Sequence, residues 1–92
     1  MNPIRGSVGE GGRNQKTDVL KVQCLLNGVP PASGGPDPKL KLDDLCGPRT
    51  KAAIRKFQTA ELGMKWPDGR VDPGGRSELR LRGLEGTPDT SP

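Results

Sequence analysis

The sequence predicts an all-α fold, a small three-helix bundle with long Gly/Pro-rich loops. Three observations predict it. The apolar residues of two segments, 17–27 and 49–62, recur at helical spacing. The 14 Gly and 10 Pro cluster at 28–38, 63–75 and 83–92, so they punctuate the chain rather than dilute it. Finally, 92 residues of which 29% are hydrophobic fit one small domain with a marginal core, and nothing larger.

Taken in order, residues 1–16 are Gly-rich and polar and are expected to form a flexible entry segment. "TDVLKVQCLLNG" reads as the first helix: Val19, Val22, Leu25 and Leu26 share a face with Gln23 beside them. Thr17 or Asp18 is placed to cap it, and Asn27-Gly28 to stop it, with Gly28 in the left-handed conformation. "VPPASGGPDPKLK" is a loop by composition. The second helix starts at "CGPRTKAAIRKFQ". Gly47 stands at the cap, and Pro48 at the first helical position, where a missing amide hydrogen costs nothing. Ala53, Ile54, Phe57 and Ala60 form its apolar face; Arg49, Lys51, Arg55, Lys56 and Glu61 are left for water, and Gly63 ends it. A shorter third helix follows "DPGG" and carries Leu79, Leu81 and Leu84. The domain is thus set at 17–84, and "EGTPDTSP", the core of 85–92, reads as a linker or disordered tail that implies a further domain.

"CGPRTKAAI" and "PGGRSELRL" echo each other at a shift of 27 residues. Gly47 falls on Gly74, Arg49 on Arg76, Thr50 on Ser77 and Ile54 on Leu81, as two small-residue turns that each launch a helix.

The chemistry the chain can perform is narrow. It has no His and no Tyr, which excludes Ser-His-Asp and Cys-His catalysis within the chain and a zinc site of the usual kind. No glycine pattern joins a Lys-Ser/Thr pair to cradle phosphate. Asp43, Asp44, Glu61, Asp68, Asp72 and Glu78 are read as solvated carboxylates rather than as the pair a glycosidase needs. No cofactor, no metal and no catalysis by this chain alone are expected. Cys24 and Cys46 are open to two readings, small buried hydrophobes or a disulfide joining the first helix to the start of the second. Trp66, the only tryptophan, is either a core or loop anchor or a platform that stacks on a sugar ring. Arg70 and Arg76 flank the "PDG" turn and are able to grip a carboxylate bidentately. The net charge of +4 suits an anionic partner. No apolar run is long enough to span a membrane and none resembles a secretory signal, so no membrane partner is expected.

Three pieces together resemble the bacterial peptidoglycan-binding domain of the three-helix type found attached to cell-wall hydrolases. That family opens close to "DVxxLQxxL", where Asp18, Val19, Val22, Gln23 and Leu26 stand. Its middle resembles "DGxFGxxTxxAVxxFQ", with Gly47, Thr50, Ala53, Ile54, Phe57 and Gln58 at that spacing. Its end resembles "DGxVGPxTxxAL", met by Asp68, Gly69, Val71 and Pro73, then by Ser77 and Leu81 after one extra Gly. The likeness covers about residues 17–82. Cys46 stands where an aromatic is usual, Asp72 replaces a Gly, Glu78 stands near a usual aromatic, and the 29–42 loop is long. "SVGEGGRNQKTDV" and "DGRVDPGGRS" look like a sub-branch found in type VI secretion effectors.

The resemblance implies a non-catalytic module that binds peptidoglycan, through its stem peptide or glycan, and targets an attached catalytic domain to it. It implies a monomer in the periplasm or cell envelope, delivered without a signal peptide. Gln58, Trp66, Arg70 and Arg76 are the candidate ligand contacts. Two other readings stand beside it: a docking module for a protein of the secretion machinery, and a small basic helical binder of nucleic acid. The nucleic-acid reading is disfavoured because the basic residues do not gather on one recognition helix.

Overall fold

Three helices and one small sheet make up the fold in a computed structural model that describes residues 3–84. The order is β1 (Val8–Gly9), α1 (Lys16–Asn27), a single 3-10 turn at Pro31–Ser33, α2 (Pro48–Leu62), β2 (Arg70–Val71) and α3 (Arg76–Leu84). The fold is mostly helical but not purely so, because β1 and β2 pair antiparallel, Val8 opposite Val71 and Gly9 opposite Arg70. Neither strand was expected: two residues are too short to show the alternation that marks a strand. The tail expected at 85–92 lies outside the described residues.

The helices form where the apolar spacing placed them. Val19, Val22, Leu25 and Leu26 of α1 pack against Ala53, Ile54 and Phe57 of α2, with Leu81 of α3 and Val71 of β2 closing the core. Ile54 and Phe57 are fully buried. Gly47 caps α2, Pro48 is its first residue, and Gly63 ends it at φ 63. Three details differ. Ala60 is exposed, as is Leu79, so α3 buries Ser77, Glu78 and Leu81 instead. Gly28 ends α1 at φ −81, within the right-handed region. No side chain caps α1: Asp18 faces inward, and its carboxylate accepts from the amides of Arg5 (3.0 Å) and Gly6 (2.9 Å).

That last contact changes the reading of the N-terminal segment. Ile4 and Val8 belong to the core. Glu78, also buried, accepts from the amide of Ile4 at 2.7 Å and from that of Gly74 at 2.6 Å. Two buried carboxylates therefore anchor residues 4–6, and β1 holds residues 8–9. A buried carboxylate without donors is costly, so Asp18 and Glu78 make this segment part of the packed body rather than an appendage.

The two cysteines are free and half-buried, which corrects the disulfide reading of Cys24 and Cys46. The side chain that α1 sends toward residues 43–50 is Gln23, not Cys24. Cys46 lies instead against the Gly9 backbone, and burial raises its thiol pKa above the ordinary value.

Candidate functional site

The candidate site grows from Gln58, on the last turn and a half of α2. Its side chain is 1% exposed. Its Nε2 lies 2.8 Å from Asp68 Oδ1, 3.0 Å from the Arg70 carbonyl oxygen and 3.0 Å from Ser77 Oγ, and its Oε1 accepts from the Gly69 amide at 2.9 Å. One amide thus ties the end of α2 to the turn before β2 and to the first turn of α3. Asp68 Oδ1 also accepts from the Arg70 amide at 3.0 Å. Partial burial pushes the Asp68 pKa up. The bonds from the Arg70 and Gln58 amides, with the Arg70 charge, outweigh it and hold the carboxyl below its ordinary value.

Over this frame opens a cavity of about 170 Å³ lined by Gln58, Asp68, Arg70, Asp72, Arg76 and Ser77, with Met64 and Gly75 at its edge. Three of the four candidate residues, Gln58, Arg70 and Arg76, are brought together here. Gln58 serves as the buried frame. Arg70 is half-exposed and pairs through Nε with Asp72 Oδ1 at 2.9 Å. Arg76 is exposed, its Nη2 3.4 Å from the Leu62 carbonyl oxygen at the end of α2. Trp66 is not among the lining residues. It stands on the same connection as Met64 and Asp68, 81% exposed, with the Lys65 ammonium 5.9 Å from its ring centroid. An exposed indole is not a core anchor, and the ring face turned away from Lys65 is open to stacking.

The same frame occurs a second time. Gln23 Nε2 of α1 lies 3.1 Å from each of three acceptors, Asp43 Oδ1, the Leu45 carbonyl oxygen and Thr50 Oγ1, among which its two N–H groups are shared, and its Oε1 accepts from the Asp44 amide at 3.1 Å. Asp43 Oδ1 accepts from the Leu45 amide at 3.0 Å, as Asp68 does from Arg70. The middle residues of the two turns, Asp44 and Gly69, both have left-handed φ, 54 and 69. Thr50 and Ser77 open α2 and α3 in the same way, and Ile54 and Leu81 fill the core one turn on. The echo at a shift of 27 residues therefore corresponds to a repeated structural unit. Sequence reasoning saw its helix starts, named Gln58 as a ligand contact and placed Gln23 beside the apolar face, but missed that both are buried and hold the turns, because a buried polar side chain leaves no mark on an apolar pattern.

No cluster of three or more His, Cys, Asp or Glu able to hold a metal occurs among the described residues. Glu78, read from the sequence as solvated, is buried and committed to backbone amides. No helix among the described residues is long and apolar enough to cross a membrane.

Comparison with protein families, with curated proteins and with solved structures finds no match.

Proposed function

We propose that this domain is a non-catalytic module that binds bacterial peptidoglycan and holds an attached cell-wall hydrolase against its substrate, in the periplasm or cell envelope. The observation that carries the reading is the cavity at the start of α3, where Arg70 and Arg76 flank an opening backed by the buried Gln58 frame. At this opening Arg70 is held by Asp72 and Arg76 has no ion pair among the described residues, so the Arg76 guanidinium suits a free carboxylate of a stem peptide, since Arg binds carboxylate in a planar fork. The exposed Trp66 ring on the adjoining connection suits the apolar face of a sugar. The three-part resemblance supplies the identity of the polymer, and its aligned apolar residues, Val19, Val22, Leu26, Ala53, Ile54 and Phe57, are those buried in the core. The finer fold assignment, a peptidoglycan-binding-domain-like bundle, belongs to the same proposal. In this role the chain does no bond-breaking; it raises the local concentration of a tethered enzyme at the wall.

Sedimentation with purified insoluble peptidoglycan tests the reading. The protein is expected in the pellet at low and moderate salt, and Arg76→Glu is expected to shift part of it to the supernatant while leaving the circular dichroism spectrum unchanged. Wild-type protein that stays in the supernatant at both salt concentrations contradicts it.

A further inference from the structure

Four surface cations of α2, β2 and α3 are held in ion pairs. Lys51 and Arg55 share Glu10 at 3.5 Å each, Arg80 pairs with Glu61 at 2.8 Å, and Arg70 with Asp72 at 2.9 Å. Arg49 and Lys56, both exposed on α2, hold no ion pair among the described residues. Both line a groove between α2 and the 36–47 connection. It consists of two adjoining cavities, about 240 and 270 Å³, that share Leu40 and Arg49. Pro36, Pro38, Ala52 and Lys56 wall the first, and Leu45, Pro48 and Thr50 the second.

We propose that this groove is a second ligand site, which takes an extended peptide carrying a free carboxylate. The carboxylate meets Arg49 where the two cavities join, with Lys56 beside it, and small apolar side chains lie against Leu40, Pro38 and Ala52. Charge decides the ligand class. Three cations (Lys41, Arg49, Lys56) face two carboxylates (Asp37, Asp43) across the groove. That balance favours one anionic group and disfavours a polyphosphate chain, which both carboxylates would repel. In the α3 cavity the cations and carboxylates are equal in number, and Arg70 is already paired.

The repeated frame supports the groove independently. Asp43, Leu45, Arg49 and Thr50 stand in the second of its cavities as Asp68, Arg70, Arg76 and Ser77 stand in the α3 cavity. The fold presents one kind of pocket twice. Leu45 in place of Arg70 makes this copy the more apolar of the two. The inference rests on the wall-binding reading for the choice of peptide.

The test is a titration of the isotope-labelled full chain, followed by amide chemical shifts, with the stem tripeptide L-alanyl-γ-D-glutamyl-lysine and its carboxyl-amidated counterpart. The amides of Leu40, Ala52 and Ala53 are expected to shift saturably with the free acid. Arg49→Ala or amidation weakens that response about tenfold, and Lys56→Ala weakens it less. Arg49→Ala leaves the shifts of Gly75 and Ser77 unchanged, and the dispersed spectrum of each variant reports that it is folded. Shifts confined to Gly75 and Ser77 overturn this second site and leave the function proposed above standing. Groove shifts without retention on insoluble peptidoglycan keep the site and remove the wall-binding reading. No shift at either place overturns the second site whether or not insoluble peptidoglycan retains the protein.

Discussion

Gln58 and Gln23 each lie within hydrogen-bond distance of four backbone or side-chain groups that the fold has drawn together. Removing such an amide leaves donors and acceptors with no water to replace it, at about 1–3 kcal/mol for each group orphaned in the interior. Gln58→Leu keeps the volume and is expected to cost about 2–4 kcal/mol in urea unfolding. The carboxylates on the same frames make stability depend on acid. Asp68 and Asp43 both have folded pKa values below the ordinary 3.8, Asp43 through the Leu45 amide first and Gln23 second. A depressed pKa contributes stability that is complete well above 3.8 and is lost as pH falls through the folded value. The thermal midpoint is therefore expected to hold down to about pH 5 and to fall below it, and Asp68→Asn to flatten the fall. An unchanged acid limb in that variant would show that the frame does not depend on this charge.

The β1–β2 pair is the element on which the N-terminal segment depends. Gly9 sits at φ 120, and a Cβ there would lie against the Gly69 carbonyl oxygen of the facing turn. Gly9→Ala is expected to destabilise by at least about 2 kcal/mol. Gly83, inside α3 with open space where a Cβ would go, gives the opposite sign: Gly83→Ala is expected to stabilise by about 0.5–1 kcal/mol. Thermal unfolding of both variants checks the pair. The difference between the elements also explains what could be read in advance. Each of α1 and α2 announces itself through several apolar residues at one spacing between Gly or Pro stops. Ile4 and Val8 are single apolar residues in a Gly-rich stretch, and their burial follows from partners far along the chain, Glu78 and Val71. Leu79 looked like core by composition, yet α3 buries Glu78 because the Ile4 and Gly74 amides are there to receive it. The candidate site was legible to the same degree: Arg70 and Arg76 followed from the turn chemistry, whereas the frame behind them is polar and non-local.

At the scale of the whole molecule, the fold closes only when the N-terminal segment is in place. Deleting residues 1–9 removes two core side chains and strips the buried carboxylates of Asp18 and Glu78 of three amide donors, and the truncated chain is expected to lose its cooperative thermal transition. The intact molecule then presents two similar pockets, at the starts of α2 and α3, on a body whose polar interior residues bond to the backbone. On the proposed reading, the cations at these openings that hold no ion pair among the described residues, Arg76 at one and Arg49 with Lys56 at the other, meet the carboxylates of the ligand. Pelleting of the wild-type protein with insoluble peptidoglycan, beside Arg76→Glu and Arg49→Glu, tests this most directly. The wild type is expected to pellet and each substitution to release part of it, more when the two are combined. Wild-type protein left wholly in the supernatant, or a double variant that pellets as well as the wild type, would contradict it.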